Sequence, residues 1–309
     1  MYVCTAARAE TQVGVDLGFR TDDLSWSIPG EFTGKDGNFY QPNIVSELTW
    51  KNITSNYLNG HAAFRDGQFF VRGDIGYGII NSGDNQDSDY RGNNRTEEFS
   101  RSNNKSNGDH LSDAKIGFGL NFGLMPDEVM GPRLQLTPLA GLSSHVQSLR
   151  MTNLVQTVSE LQFAPSDIQG LPALGSHPGL NSSYEARWNG PWIGIDALYR
   201  VDQQISLHAE YEHHKADYSA RANWNLRSDL AHPKSFAHNA TGDGDVLHLG
   251  IEMTLADRMT ISFSVTAQEW KTGRGTDRFY FADGFSDAVP LNEVIWRTQS
   301  YLFGLQVPL

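Results

Sequence analysis

Cysteine is almost absent: the only one is Cys4, so no disulfide can form within one chain. Long apolar runs are missing as well, and no stretch approaches the ~20 apolar residues that a membrane-spanning helix needs. Basic residues are in the minority, 24 Lys and Arg against 36 Asp and Glu. The resulting net charge of -12 argues against nucleic acid as a partner, because phosphate contacts need a basic surface. What remains is a chain rich in glycine (30) and aromatics (16 Phe, 11 Tyr, 7 Trp), which favours strands and tight turns.

The strands announce themselves by alternation. Ile205, Leu207, Ala209 and Tyr211 share one face of a strand, while Ser206, His208 and Glu210 share the other. Ile116, Phe118, Leu120 and Phe122 repeat the pattern, as do Ile261, Phe263 and Val265. Such segments fall at 11–28, 43–64, 68–80, 111–124, 133–154, 185–201, 205–224, 244–255, 258–271 and 293–309. Their connections alternate in length. Short ones lie at 65–67, 126–132, 202–204 and 256–257, and long ones at 29–42, 81–110, 155–184, 225–244 and 272–292.

This rhythm predicts an all-β fold: a ten-stranded antiparallel up-and-down transmembrane β-barrel with long extracellular loops and short periplasmic turns, in a bacterial outer membrane. A secreted β-sandwich or β-helix would also be strand-rich, but these strands often exceed ten residues and no short repeat recurs. A barrel of that size is filled by its own side chains, so a wide diffusion pore is not expected. Aromatics near strand ends (Trp50, Tyr57, Phe69, Phe70, Trp188, Trp192, Tyr199) are expected to form the girdles at the two interfaces. Residues 1–9 end in Ala7-Arg8-Ala9 and read as the remnant of a signal peptide, leaving 10–309 as a single barrel domain. In the last segment Tyr301, Phe303, Leu305, Val307 and Leu309 fall on one face, as a lipid-facing strand requires.

Three stretches carry a family resemblance. Tyr184-Glu-Ala-Arg-Trp-Asn-Gly-Pro-Trp-Ile-Gly-Ile-Asp-Ala-Leu-Tyr-Arg200, Val45-Ser-Glu-Leu-Thr-Trp-Lys51 and Asp87-Ser-Asp-Tyr90 resemble sequences of the omptins, outer-membrane barrel proteases of Gram-negative bacteria. The resemblance implies peptide hydrolysis between an Asp-Asp pair and an Asp-x-His pair facing each other across the barrel mouth. An imidazole would take a proton from water as the water attacks the carbonyl, and carboxylates would orient it. Asp87 and Asp89 match the first pair. A calcium loop built from Asp84, Asp87 and Asp89 is a lesser alternative, and it lacks the glycine and terminal glutamate of a helix-loop-helix site.

The second pair falls near Asn223-Trp224-Asn225, where neither asparagine can act as a base. The nearest substitutes are His214, with His213 and Asp217 close by, and His232, preceded by Asp229. Trp26 and Arg221 stand where the family uses acids to bind a basic substrate side chain. Omptins also need lipopolysaccharide as activator, and Arg187 matches one of the residues that contact it, although a girdle arginine with its charge among headgroups is an equal reading. No other cofactor and no metal is implied. Two functions follow: a surface endopeptidase using Asp87 and Asp89, or a non-catalytic barrel whose loops bind a surface ligand or partner. A lipid hydrolase is a third class, and no Ser-His spacing recommends it.

Overall fold

The computed structural model describes residues 9–255 and 259–309. Residues 1–8 of the expected leader (1–9), and residues 256–258 with the short connection expected at 256–257, lie outside the described residues. In chain order the strands are β1 (Glu10–Ile28), β2 (Phe32–Thr33), β3 (Phe39–Tyr40), β4 (Ser46–Asp66), β5 (Phe69–Tyr90), β6 (Glu98–Lys105), β7 (His110–Leu120), β8 (Phe122–Asp127) and β9 (Gly131–Ser159). They continue as β10 (Gly175–His177), β11 (Ser182–Arg200), β12 (Ile205–Asn223), β13 (Phe236–Thr254), β14 (Thr260–Thr272), β15 (Gly275–Tyr280), β16 (Ser286–Leu291) and β17 (Glu293–Pro308). No α-helix occurs among the described residues.

All pairings are antiparallel, and the main sheet closes on itself. The first strand pairs with the last, from Gln12↔Pro308 to Ser27↔Glu293, and β12 pairs β13 from Ile205↔Met253 to Ala222↔Phe236. Closure satisfies the backbone without leaving a sheet edge. Outward positions at mid-height are apolar and exposed: Val15, Leu17 and Phe19 on β1, Leu247, Leu249, Ile251 and Met253 on β13, and Tyr301, Phe303, Leu305 and Val307 on β17. A continuous exposed apolar band of this kind needs an apolar medium around it.

Two expectations change. The long connections are largely strand: β5 runs to Tyr90 and β13 begins at Phe236, because β5 pairs β6 above the band and Phe236–Asn239 pair the loop strand β15. Polar loop residues thus extend the wall by backbone pairing, where side-chain alternation alone had suggested irregular loops. The girdle reading also fails for Trp50, Tyr57, Trp188 and Trp192, which are buried, whereas Phe69 and Tyr199 stay exposed.

The buried aromatics form a plug across the upper interior. Trp270 stacks on Trp296 with centroids 5.4 Å apart, Trp188 lies 5.9 Å from Trp270 and 6.0 Å from Trp296, and Trp50 stacks on Tyr184 at 5.0 Å. Trp192 fits because Gly117 and Gly141 carry no side chain. A Cβ at Gly141 would lie 2.6 Å from the indole and 2.0 Å from the Ile116 carbonyl.

Beneath the plug a polar cavity of about 330 Å³ runs from Arg20 and His145 down to Glu10 and Arg65 at the short-turn end. Its wall carries an ion network. Arg72 Nη2 lies 2.7 Å from Glu212, 3.0 Å from Glu210 and 3.1 Å from Asp196, while Lys115 Nζ lies 2.9 Å from Glu212.

Candidate functional site

Asp87 and Asp89 stand two apart on β5, so their side chains share a face. The register places Asp87 beside Leu48, which pairs with Trp26, and Asp89 beside Ser46. Leu48 and Trp26 are buried inside the ring, so both carboxylates point inward at its long-loop end, above the plug. Asp84 occupies the opposite face, ion-paired 2.6 Å from Lys105. The three acids do not converge, and the calcium alternative is removed.

Both carboxyls are part-buried and hold their protons above the usual range. Burial raises Asp87 first and the neighbouring charge of Asp89 adds to it, with Arg227 and an N–H donated by Trp224 pulling the other way. Asp89 is pushed up to about 6 by burial, against hydrogen bonds with Ser46 and Ser100 and the charge of Arg227. Because the folded pKa exceeds the unfolded one, Asp89 contributes stability that is complete below about pH 4 and lost as pH rises through about 6. Asp89→Asn should therefore flatten the decline in stability between pH 4 and 6, by at most about 3 kcal/mol at one pKa unit per ~1.4 kcal/mol. Urea midpoints of both proteins across that range will measure it, and parallel declines would contradict the assignment.

Among the described residues, the inner face of β12 carries no imidazole at this height. Inward positions on β12 are Ala216, Tyr218, Ala220 and Ala222, all buried, and the next is Trp224, whose ring lies 4.6 Å from Phe236. Arg227 faces the acids while its Nε and Nη2 hold Asp229 at 2.8 and 2.6 Å. Asn223 and Asn225 have structural partners. Asn223 is bonded to His232 Nδ1 at 2.7 Å, and Asn225 accepts from the Asn181 N–H (2.8 Å) and donates to Gly179 O (2.7 Å).

His214 and His232 are not brought to the pair, and no hydrogen bond or ion pair joins either to Asp87 or Asp89 among the described residues. His214 lies fully buried between Glu212 Oε2 (2.8 Å) and Ser143 Oγ (3.0 Å), 4.7 Å from the Trp270 ring. His232 is exposed on the loop. Trp26 is buried, and Arg221 points outward to Glu185 at 3.0 Å. Arg187, half-exposed on the outer wall above the apolar band, donates to the same Glu185 at 2.7 Å.

The sequence reading missed an acid–histidine pair. His238 on β13 registers directly opposite Asp277 on β15, with Nε2 3.4 Å from the carboxylate, and both are fully buried. Tyr184 Oη lies 2.9 Å from His238 Nδ1 and is also bonded to the Tyr218 hydroxyl. Trp26 closes over the imidazole at 4.8 Å and Phe236 at 5.2 Å. A period-2 reading of 236–239 and 275–280 as paired strands would have found it. Both lie inside the long connections expected at 225–244 and 272–292.

A closed antiparallel ring with an outward apolar band defines an outer-membrane β-barrel protein. The family model described as "Pom: Protochlamydia outer membrane protein" matches residues 14–309, and the chain belongs to that family. No curated protein sequence matches it. Among solved structures it is similar to the outer membrane protease OmpT of Escherichia coli, at 13% identity over 97% of each chain with a TM-score of 0.74. A Pseudomonas aeruginosa FadL homologue (8% identity, 96% and 90% covered, TM-score 0.28) and the attachment invasion locus protein Ail of Yersinia pestis (8%, 96% and 99%, 0.27) also match. At these identities the OmpT likeness shows the fold alone, and the bacterial outer membrane is the location that fold and family share.

Proposed function

We propose that this protein is an omptin-like barrel of ten strands (β1, β4, β5, β7, β9, β11, β12, β13, β14 and β17 in ring order) that binds a surface ligand and does not hydrolyse peptides. Its long-loop end faces the cell exterior and its short turns face the periplasm. One observation carries the reading: Trp224 and Arg227 stand opposite Asp87 and Asp89. An indole N–H can only donate and a guanidinium stays protonated, so neither group can take a proton from attacking water. Both can instead hold the acid pair and orient a ligand against it. Arg187 and Arg221, flanking Glu185 on the outer wall, are suited to the phosphates of lipopolysaccharide.

An endopeptidase is the second reading, favoured by the two carboxyls of Asp87 and Asp89 standing side by side on one inner face of β5. Two carboxyls sharing a proton can serve as acid and base. The test is incubation of the detergent-refolded chain with a diverse peptide library, with and without lipopolysaccharide, beside Asp87→Ala. Identical digests from both proteins support the binding reading. Cleavage that disappears in Asp87→Ala overturns it.

A further inference from the structure

We propose that the lumen beneath the aromatic plug holds one divalent transition-metal ion of the zinc class, bound by His208, Glu210 and His248. His208 and Glu210 are two apart on β12 and therefore share its inner face, while His248 on β13 registers directly across from Glu210. Their donor atoms all lie within 4.8 Å of one another, and His208 Nε2 is already 3.3 Å from Glu210 Oε1. Tetrahedral bonds of ~2.0–2.2 Å put donors roughly 3.4 Å apart, so the cluster needs only a small closure. Gly250, opposite His208, adds no side chain to the space between the rings, which stand 5.6 Å apart at 67°.

The surroundings fit an ion. Thr266 Oγ1 bonds His248 Nδ1 at 2.9 Å, which fixes the ring and frees Nε2 for the metal. Glu210 gives its other oxygen, Oε2, to Arg72 at 3.0 Å, so one carboxylate serves both cations. The charge count points the same way. At full ionisation Asp74, Asp196, Glu210 and Glu212 bring four negative charges to a network in which Arg72 and Lys115 supply two positive ones. A dication makes the cluster neutral. Two imidazoles and a carboxylate select zinc-class ions over calcium or magnesium, and the fourth position opens on the lumen cavity.

The experiment uses untagged full-length protein refolded in detergent, stripped with chelator and dialysed against Zn²⁺, with metal measured by elemental analysis. One zinc per chain is expected, together with the visible spectrum of four- or five-coordinate Co²⁺ after substitution. His208→Gln and His248→Gln should each abolish stoichiometric uptake, Thr266→Val should weaken it by about 10–100-fold, and His213→Gln, on the outer surface beside Asp245, should leave it intact. Heat-modifiable gel mobility checks that each variant is folded. X-ray absorption on the zinc-loaded wild type assigns the ligands without any variant: two imidazoles with oxygen neighbours support the site, and sulfur scattering overturns it. Absence of stoichiometric uptake by the wild type, or uptake that survives in the His208→Gln/His248→Gln double variant, also overturns it.

Discussion

Arg72→Leu will destabilise the barrel by about 3–5 kcal/mol, the range for removing one partner from a buried charge cluster. The reason is the number of acids that depend on this guanidinium. Glu212, Glu210 and Asp196 all lie within 3.1 Å of Nη2, and the group also sits 5.1 Å from the Trp192 ring. Without it, Lys115 is the one remaining fixed cation against Asp74, Asp196, Glu210 and Glu212. Part of the loss should return in Arg72→Leu/Glu212→Gln, since that double variant removes a charge as well as a partner. Urea unfolding in lipid vesicles, followed by tryptophan fluorescence, measures both. An Arg72→Leu midpoint equal to that of the wild type would show that the lumen network contributes no stability.

The second large effect belongs to the plug. Trp270 and Trp296 are fully buried and stacked, and Trp188 packs against both. Truncating a buried tryptophan to alanine costs about 3–5 kcal/mol. Here it also removes the layer between the mouth and the water-accessible cavity below. Wild-type protein in planar bilayers should therefore pass essentially no current, whereas Trp270→Ala/Trp296→Ala should open steps of small-ion conductance. Equal conductance before and after substitution would mean that the plug does not seal the interior. Trp188→Phe, which keeps an aromatic in place, should remain closed.

The fold was legible because a lipid-facing wall imposes a period of two that few other environments demand. Ile205 to Tyr211, and Tyr301 to Val307, could be assigned to faces from the letters alone, and their faces lie outward as read. Long-loop residues were harder for a physical reason. Above the apolar band both faces of a strand are polar, so alternation vanishes although backbone pairing continues. That is why alternation stops near residue 80 although β5 runs to Tyr90, and starts at 244 although β13 begins at Phe236. Tryptophans misled in the other direction. At a strand end an indole suits a headgroup girdle or an interior plug equally well, and only register decides between them. Trp188 shares its face with Tyr184 and Ala186, all turned inward.

The same blindness above the band governed the site. Asp87 and Asp89 could be singled out because a local motif carried them, and they do share the inner face. Their surroundings could not be read, since Trp224 and Arg227 arrive from the turn after β12, more than 130 residues away in sequence. His238 and Asp277 form a pair only through β13–β15 register, a contact that shows only once 236–239 and 275–280 are read as paired strands. Where contacts come from distant loops, spacing in the chain holds no information about distance in space.

The account rests on the claim that, among the described residues, no imidazole reaches Asp87 and Asp89, the acid-paired His238 being sealed under Trp26 and Phe236. Diethyl pyrocarbonate labelling of the folded barrel, read by peptide mass spectrometry, tests this most directly. The account predicts rapid modification of His232, which is exposed, slower modification of the half-exposed His213, and no modification of His238 until the protein is unfolded. Labelling of His238 in the folded protein at a rate matching His232, and slowed by occupation of the mouth, would contradict it.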